Sequence, residues 1–172
     1  AEAQALHGDG SIEAARARIA LGNSYNGEHK ADEAARYLED AVVTLKEVAP
    51  RGDDHAEALW KLAVSYIYLH REDDALRVLE ESLGMLREHP EGNQTSIAAV
   101  FETMAGVERN RGRFREALVR LRAAEKIYLD LGLREHTSYA SDLFSIANAQ
   151  SLLGEFDGAA RDFAASLAIY RK

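Results

Sequence analysis

A block of apolar and polar positions recurs four times along the chain. The segments LGNSYNGEHKADEA, LAVSYIYLHREDDA, MAGVERNRGRFREA and IANAQSLLGEFDGA start at residues 21, 62, 104 and 146 and align without a gap. The copies are therefore 41, 42 and 42 residues apart. A fixed period of this size is the sequence signature of a repeat protein, so we predict four copies of one structural unit.

Each copy predicts two helices joined by a tight turn. A large apolar residue is followed by a small one, where a neighbouring helix has room to approach, and an alanine lies twelve residues after the small one. Apolar and small residues then recur at spacings of four and three, which places them on one face of a second helix. This second stripe consists of Ala34, Leu38 and Ala41; Ala75, Leu79 and Ser82; Ala117, Leu121 and Ala124; and Ala159, Phe163 and Ser166. The turns between the helices are predicted at His29, His70, Gly112 and Gly154, where a helix-ending residue adopts a positive φ angle.

The periodicity also predicts where the helices begin and end. The helices are expected at 12–28, 31–48, 55–69, 72–88, 95–111, 114–131, 137–153 and 156–171, in repeats at about 11–50, 54–90, 95–133 and 137–172. Polar linkers that contain Pro50 and Pro90 separate the first three repeats. Asp54 and Glu57 are predicted to form the capping pair at the start of the third helix.

The repeated residues resemble the signature of the tetratricopeptide repeat. The first copy matches it through Leu21, Gly22, Tyr25, Ala34 and Ala41, and the second keeps Leu62, Ala63, Tyr66 and Ala75. Glu108 and Gln150 replace the signature tyrosine in the third and fourth copies. The resemblance implies an all-α, right-handed superhelical solenoid of four hairpins, about eight helices, in a single domain over residues 1–172. The usual period is about 34 residues, and the longer period here resembles the kinesin light chain type of this repeat.

Neither end of the sequence has the pattern expected at the end of a solenoid. Residues 1–10 resemble the tail of a preceding repeat, and the last residues fall inside the second helix of the fourth. A solenoid normally needs a polar terminal cap, and Phe163, Leu167 and Tyr170 would leave apolar surface exposed. We therefore expect either a fragment of a longer protein or a homo-oligomer that buries this C-terminal end.

Composition and charge exclude several functions. The chain has 21 Lys and Arg against 29 Asp and Glu, a net charge of -8, which argues against sequence-independent binding of nucleic acid. The imbalance lies within residues 1–86, with 9 basic and 17 acidic residues, whereas residues 87–172 have 12 of each. Arginine is concentrated at Arg109, Arg111, Arg113, Arg115, Arg120 and Arg122. This segment is either a positive field that selects an acidic ligand or a solvated helix face interleaved with glutamates.

The sequence gives no support for catalysis, a cofactor or a metal. It has no phosphate loop, nucleophile elbow or HExxH motif. The histidines His7, His29, His55, His70, His89 and His136 are scattered among turns and linkers instead of lying one helical turn apart. There is no cysteine and no long apolar run, so a cytoplasmic location without membrane contact is expected.

In tetratricopeptide-repeat proteins the first helix of each hairpin lines a concave groove that binds a peptide. Carried over to this sequence, the resemblance implies peptide-binding residues Asn23, Asn26, Trp60, Val64, Ile67, Tyr68, Glu102, Arg109, Asn110, Phe144 and Asn148, with Arg16, Ile19, Glu57 and Ser151 on the same face. The expected ligand has an aromatic or aliphatic anchor, a backbone held by asparagine amides and a carboxylate that meets Arg109. Ile19 occupies a place where the carboxylate clamp of chaperone-binding members needs lysine, which argues against a chaperone co-factor.

Two interpretations of these residues remain open from the sequence. Trp60, Val64 and Phe144 would instead pack in the core between hairpins, since apolar residues at helical spacing are usually core. The favoured function is a noncatalytic peptide- or protein-binding scaffold. The alternative is a sensor or oligomerisation segment of a larger bacterial signalling or transcription regulator. A helix-turn-helix or nucleotide-binding domain elsewhere in the full-length protein would distinguish the alternative from the scaffold.

Overall fold

The computed structural model describes residues 10–171, which form eight α-helices. We number them α1 (Ile12–Gly27), α2 (Ala31–Val48), α3 (Asp53–Tyr68), α4 (Glu72–Leu86), α5 (Pro90–Asn110), α6 (Phe114–Asp130), α7 (Thr137–Leu152) and α8 (Phe156–Tyr170). Residues 1–9, predicted to resemble the tail of a preceding repeat, lie outside the described residues. The predicted hairpins are therefore confirmed over the part of the chain that is described.

The chain divides into two compact units, Ala1–His89 and Pro90–Lys172. Unit 1 contains the hairpins α1–α2 and α3–α4, and unit 2 contains the hairpins α5–α6 and α7–α8. Helices α1, α3, α5 and α7 are the first helices of their hairpins, and α2, α4, α6 and α8 are the second helices.

The predicted apolar stripes form the cores of both units. The leading apolar residues Leu62, Met104 and Ile146 are at most 3% exposed, and the alanines Ala34, Ala75, Ala117 and Ala159 are buried as well. Small residues allow close approach, as predicted: a Cβ atom on Gly22 would lie 2.5 Å from Cγ of Leu38. Leu21 is the exception among the leading residues, because 46% of it is exposed.

Polar groups hold the two helices of a hairpin together at equivalent places in the two units. In unit 1 the Ser82 hydroxyl donates to the carbonyl oxygen of Ala56, and in unit 2 the Ser166 hydroxyl donates to that of Ala140, both at 2.7 Å. Both serines are buried. Each hydroxyl is therefore satisfied inside the core, where an unpaired one would be destabilising.

The turns inside the hairpins have the predicted backbone geometry. The φ angles are 58° at His29, 55° at His70, 72° at Gly112 and 80° at Gly154. In each turn the following amide also bonds back to a carbonyl five residues earlier, for example Lys30 N to Tyr25 O at 2.9 Å. This arrangement satisfies carbonyl groups that the end of a helix leaves without partners.

Two predictions about helix starts are wrong. Helix α5 begins at Pro90, five residues before the predicted position 95, because proline is favoured in the first turn, where its missing N–H is not needed. Asp54 does not cap α3: Gly52 precedes this helix, and Asp54 lies in the first turn. The Asp54 carboxylate instead binds Arg16 of α1, with Arg16 Nε 3.1 Å from Oδ1 and a terminal guanidinium nitrogen 2.9 Å from Oδ2.

Within residues 10–171, no helix is long and apolar enough to cross a membrane.

Candidate functional site

Each unit has a cavity between its two first helices. The unit 1 cavity has a volume of about 290 Å³ and is lined by Arg16, Ile19, Ala20 and Asn23 of α1 and by Asp54, Glu57 and Lys61 of α3. The unit 2 cavity has a volume of about 130 Å³ and is lined by Glu102, Ala105, Gly106 and Arg109 of α5, Ala117 and Leu121 of α6, and Ser145 and Ala149 of α7.

Equivalent positions of the repeat build the two cavities. Counted from the leading apolar residue of each copy, Asn23 corresponds to Gly106 and Lys61 corresponds to Ser145. Ile19 likewise corresponds to Glu102. The two hairpin pairs therefore present the same face of their first helices, but with different side-chain chemistry. At these three positions the first cavity has Ile19, Asn23 and Lys61, whereas the second has Glu102, Gly106 and Ser145.

The carboxylate of Glu102 is held in place by the second helix of its own hairpin. The Tyr128 hydroxyl donates a hydrogen bond to Glu102 Oε1 at 3.0 Å. Desolvation raises the pKa of Glu102, and this hydrogen bond opposes the rise only in part. Burial and the neighbouring Glu102 charge raise the pKa of Tyr128 as well. Glu102 is therefore a positioned and partly dehydrated acid.

A second acid, Asp142 of α7, is fully buried in unit 2. Neither carboxyl oxygen of Asp142 has a hydrogen-bond partner within the described residues. Burial raises its pKa to about 8, and the charges of Glu102, Glu125 and Asp162 add to this rise, whereas Arg122 opposes it. Asp142 is therefore mostly protonated at neutral pH.

Three of the predicted peptide-binding residues line these cavities: Asn23 in unit 1, and Glu102 and Arg109 in unit 2. Asn26 lies elsewhere, buried between α1 and α3. Its side-chain amide donates to the carbonyl oxygen of Lys61 at 3.2 Å, and its oxygen accepts from Ser65 at 2.9 Å. Because both ends of this amide are already bonded, Asn26 joins two helices, and we do not include it in the proposed site.

The predicted aromatic and aliphatic residues divide between the two units. Trp60, Val64 and Ile67 are half-buried on α3, and the Lys61 ammonium lies 4.0 Å from the centroid of the Trp60 ring. Tyr68 is exposed at the end of α3, and its ring stands edge-on to that of His29.

In unit 2 the remaining predicted residues are mostly exposed. Phe144 is 52% exposed and makes an edge-to-face contact with Phe163. Asn148 donates to the carbonyl oxygen of Phe144 at 3.0 Å, one turn back in the same helix. Asn110 is exposed at the last position of α5.

The sequence interpretation missed Lys61 and Ser145 as cavity residues. Both stand directly before the leading apolar residue of their copies. Asp54, Glu57 and Lys61 follow one another at spacings of three and four, so helical periodicity already placed them on one face. Helical periodicity therefore indicated the residue one position before the leading apolar residue, which is Lys61 or Ser145. The prediction instead chose the residue two positions before it, which is Trp60 or Phe144.

No protein-family model and no curated protein sequence matches the chain. Solved structures do match it. BtubC (BKLC) from P. vanneervenii, a kinesin light chain-like repeat protein, is 19% identical with a TM-score of 0.82, over 91% of this chain and 63% of BtubC. A Rap protein complexed with Competence and Sporulation Factor is 17% identical with a TM-score of 0.83, over 92% of this chain and 43% of that protein. The chain has the tetratricopeptide-repeat fold.

A third similar structure is aspartyl phosphate phosphatase F from Bacillus subtilis, at 15% identity and a TM-score of 0.82, over 93% of this chain and 41% of that protein. The chain thus spans between 41% and 63% of the length of these three structures.

Proposed function

We propose that this chain is a noncatalytic peptide-binding scaffold that holds a partner segment against the first helices of its tetratricopeptide repeats. The observation that carries the proposal is the pair of cavities, which are built from equivalent repeat positions and bring charged side chains to one face of each unit, together with the Asn23 amide in unit 1. A face that recurs in each unit with different side chains is suited to binding peptide segments of different sequence.

The similar structures support this proposal and define its alternative. One of them contains a Rap protein with Competence and Sporulation Factor, which favours a factor-binding role. Another is named as a phosphatase of aspartyl phosphate, so the absence of catalysis is itself part of our proposal. The alternative is that the chain is the sensor segment of a larger bacterial regulator. This alternative is compatible with the longer chains of the similar structures, which this chain covers only in part. We propose a cytoplasmic location for either function.

The expected ligand follows from the side chains that line the cavities. The Asn23 amide is exposed on α1, and we expect it to bond the backbone of a peptide. We expect Lys61 and Arg109 to supply positive charge for acidic groups. Trp60 and Phe144 offer partly exposed aromatic surface for an aromatic or aliphatic anchor. A protein or peptide segment with one such anchor and acidic groups is the partner that we expect.

Selection from a displayed library of random dodecapeptides tests the proposal. Peptides enriched on the wild-type chain should lose about tenfold or more in affinity to Asn23→Ala combined with Lys61→Ala, measured by fluorescence anisotropy. The matched control is Lys46→Ala, which removes an exposed lysine from α2. If no peptide is enriched, or if the control weakens binding as much as the cavity variant, the first helices are not the binding face.

A second candidate function is self-association through α8. Leu121 and Tyr128 of α6 are buried, but the equivalent residues of α8, Phe163 and Tyr170, are half-buried and 54% exposed, and Leu167 of α8 is also exposed. We propose that a second copy of the chain covers this face. Sedimentation should show a concentration-dependent dimer that Leu167→Glu abolishes and that Val43→Glu, at an exposed position of α2, leaves intact. A monomer at all concentrations would exclude it.

A further inference from the structure

We propose that the unit 2 cavity receives the cationic end of a lysine or arginine side chain from the bound peptide, with Glu102 as its counter-ion, while Arg109 binds an acidic residue of the same peptide. This inference rests on the peptide-binding function proposed above and specifies its ligand. It does not follow from the resemblance to other repeats, because the residues that carry it depart from the repeat pattern.

The cavity has the size of a single side chain. Its volume of about 130 Å³ is close to that of the roughly 150 Å³ engineered cavity that binds benzene. Ala105, Gly106, Ala117 and Ala149 leave this space open, because none of them has an atom beyond Cβ. A ligand group entering here is surrounded by α5, α6 and α7, and it reaches the Glu102 carboxylate with little water around it.

Glu102 is an acid at a repeat position that is otherwise apolar. The equivalent residues are Ile19, Trp60 and Phe144. Tyr128 holds one carboxylate oxygen, and no cationic side chain of the described residues is bound to Glu102. A dehydrated carboxylate without a counter-ion is unfavourable, and a cation from a ligand would remove that cost with a short, charge-assisted hydrogen bond.

Asp142 is a second, independent departure within the same unit. Ala58 and Val100 occupy the equivalent positions in the second and third repeats, and both are buried. Asp142 has no hydrogen-bond partner within the described residues, and its charge is coupled to that of Glu102. Acids have therefore replaced apolar residues at two repeat positions of unit 2. Asp142 is mostly protonated at neutral pH, so Glu102, which lines the cavity, is the acid that would attract a cation.

Arg122, the cation whose charge acts on Asp142, already has acidic partners. Arg122 lies 2.7 Å from Glu125 of its own helix and 3.2 Å from Asp162 of α8. Among the described residues, no group of three or more ligating side chains is placed to hold a metal ion. An ammonium or guanidinium group needs only one or two acceptors, so it is the cation that we assign to this cavity.

The spacing of Glu102 and Arg109 sets the spacing of charges in the ligand. Both residues line the cavity from α5, seven residues apart, which is about 10 Å along a helix. An extended peptide covers about 10 Å in three residues. The expected ligand therefore carries Lys or Arg and, three positions away, Asp or Glu.

Parallel selections from the dodecapeptide library test this assignment. Peptides enriched on the wild-type chain should share a basic and an acidic residue three positions apart. Selection on Glu102→Gln should lose the basic residue and keep the acidic one, and selection on Arg109→Gln should do the reverse. Glu57→Gln is the matched control, because Glu57 lines the unit 1 cavity and should leave the unit 2 motif unchanged.

Affinities of the enriched peptides give the decisive comparison. Replacing the basic residue by norleucine or citrulline should weaken binding to the wild-type chain about tenfold, and should have little effect on Glu102→Gln. If peptides bind and lose affinity to the Asn23 and Lys61 variant but show no basic residue, the cation subsite is wrong and the peptide-binding function stands. If no peptide is enriched, both proposals fail. Circular dichroism spectra matching the wild type confirm that each variant is folded.

Discussion

Replacing the buried Asp142 by asparagine should make the protein more stable at neutral pH. Asparagine has nearly the same shape, and it removes the group that must take up a proton to be buried. The acids and the base whose charges act on Asp142 are Glu102 of α5, Glu125 and Arg122 of α6, and Asp162 of α8. The acids outnumber the base, so the protonated form is the one that fits this interior.

The magnitude follows from the two pKa values of Asp142. The ordinary value is 3.8 and the folded value is about 8, and each pKa unit corresponds to about 1.4 kcal/mol. The unfolded chain therefore carries an ionised Asp142 at pH 7. Folding must protonate this carboxylate at a pH about three units above its ordinary pKa, which costs about 4 kcal/mol. Asp142→Asn avoids this protonation, so it should raise the free energy of unfolding at pH 7 by most of about 4 kcal/mol.

The pH dependence has a definite sign. Because the folded pKa is raised, the wild-type protein is least penalised below about pH 4, and it loses stability as pH rises towards 8. The advantage of Asp142→Asn over the wild type should therefore be about 3 kcal/mol larger at about pH 7.5 than at about pH 5.

Urea unfolding followed by far-ultraviolet circular dichroism at the two pH values measures this difference. Asp40→Asn is the matched control, because it removes the same charge from an exposed position of α2 and should show no comparable pH dependence. If the advantage of Asp142→Asn is the same at both pH values, Asp142 is ionised in the folded protein and our account of unit 2 is wrong.

Three further substitutions test the packing and the turns, each by thermal and urea unfolding. Gly22→Ala should lower the free energy of unfolding by about 1–3 kcal/mol, because the new methyl group would overlap Leu38 in the core. Gly154→Ala should cost about 1 kcal/mol from backbone strain alone, since its φ is 80° and no atom lies within 4 Å of an added Cβ; a larger loss would mean a steric clash. Ser82→Ala should cost about 1 kcal/mol by removing the hydrogen bond to Ala56, and an unchanged stability would show that this bond contributes nothing.

The repeat pattern predicted the hairpins well because it reports local geometry. The positive φ angles at His29 and Gly154 and the burial of Ala75 follow from the position of each residue within one hairpin. The helix starts were harder to predict. Pro90 is read equally well as a linker residue or as the first residue of a helix, and the binding of Asp54 to Arg16 joins residues 38 positions apart.

The candidate site was only partly predictable, because it also depends on contacts between residues that are far apart in the sequence. Asn26 fits the expected groove face by its position, but its amide is used by Lys61 and Ser65 of the neighbouring helix. Periodicity assigns a residue to a face without stating which partner the face meets. Glu102 and Asp142 depart from the repeat at positions that precede the aligned segments, and their burial and electrostatic surroundings become apparent only in three dimensions.

A rise in pH should have opposite effects through the two acids of unit 2: stronger ligand binding through Glu102 and lower stability through Asp142. These opposite effects allow a last test. Raising the pH charges Glu102, whose pKa is raised by desolvation, and thereby strengthens its attraction for a cation. The same change destabilises unit 2 through Asp142. A peptide with a basic residue should therefore raise the melting temperature more at about pH 8 than at about pH 5, because the stabilisation by a bound ligand grows with the logarithm of its affinity. Glu102→Gln should abolish this pH dependence of the ligand effect. The destabilisation of the free protein should become smaller but persist, because burial is the larger cause of the raised Asp142 pKa and the Glu102 charge adds to it. An equal ligand-induced shift at both pH values in the wild-type chain would show that the bound cation does not meet Glu102.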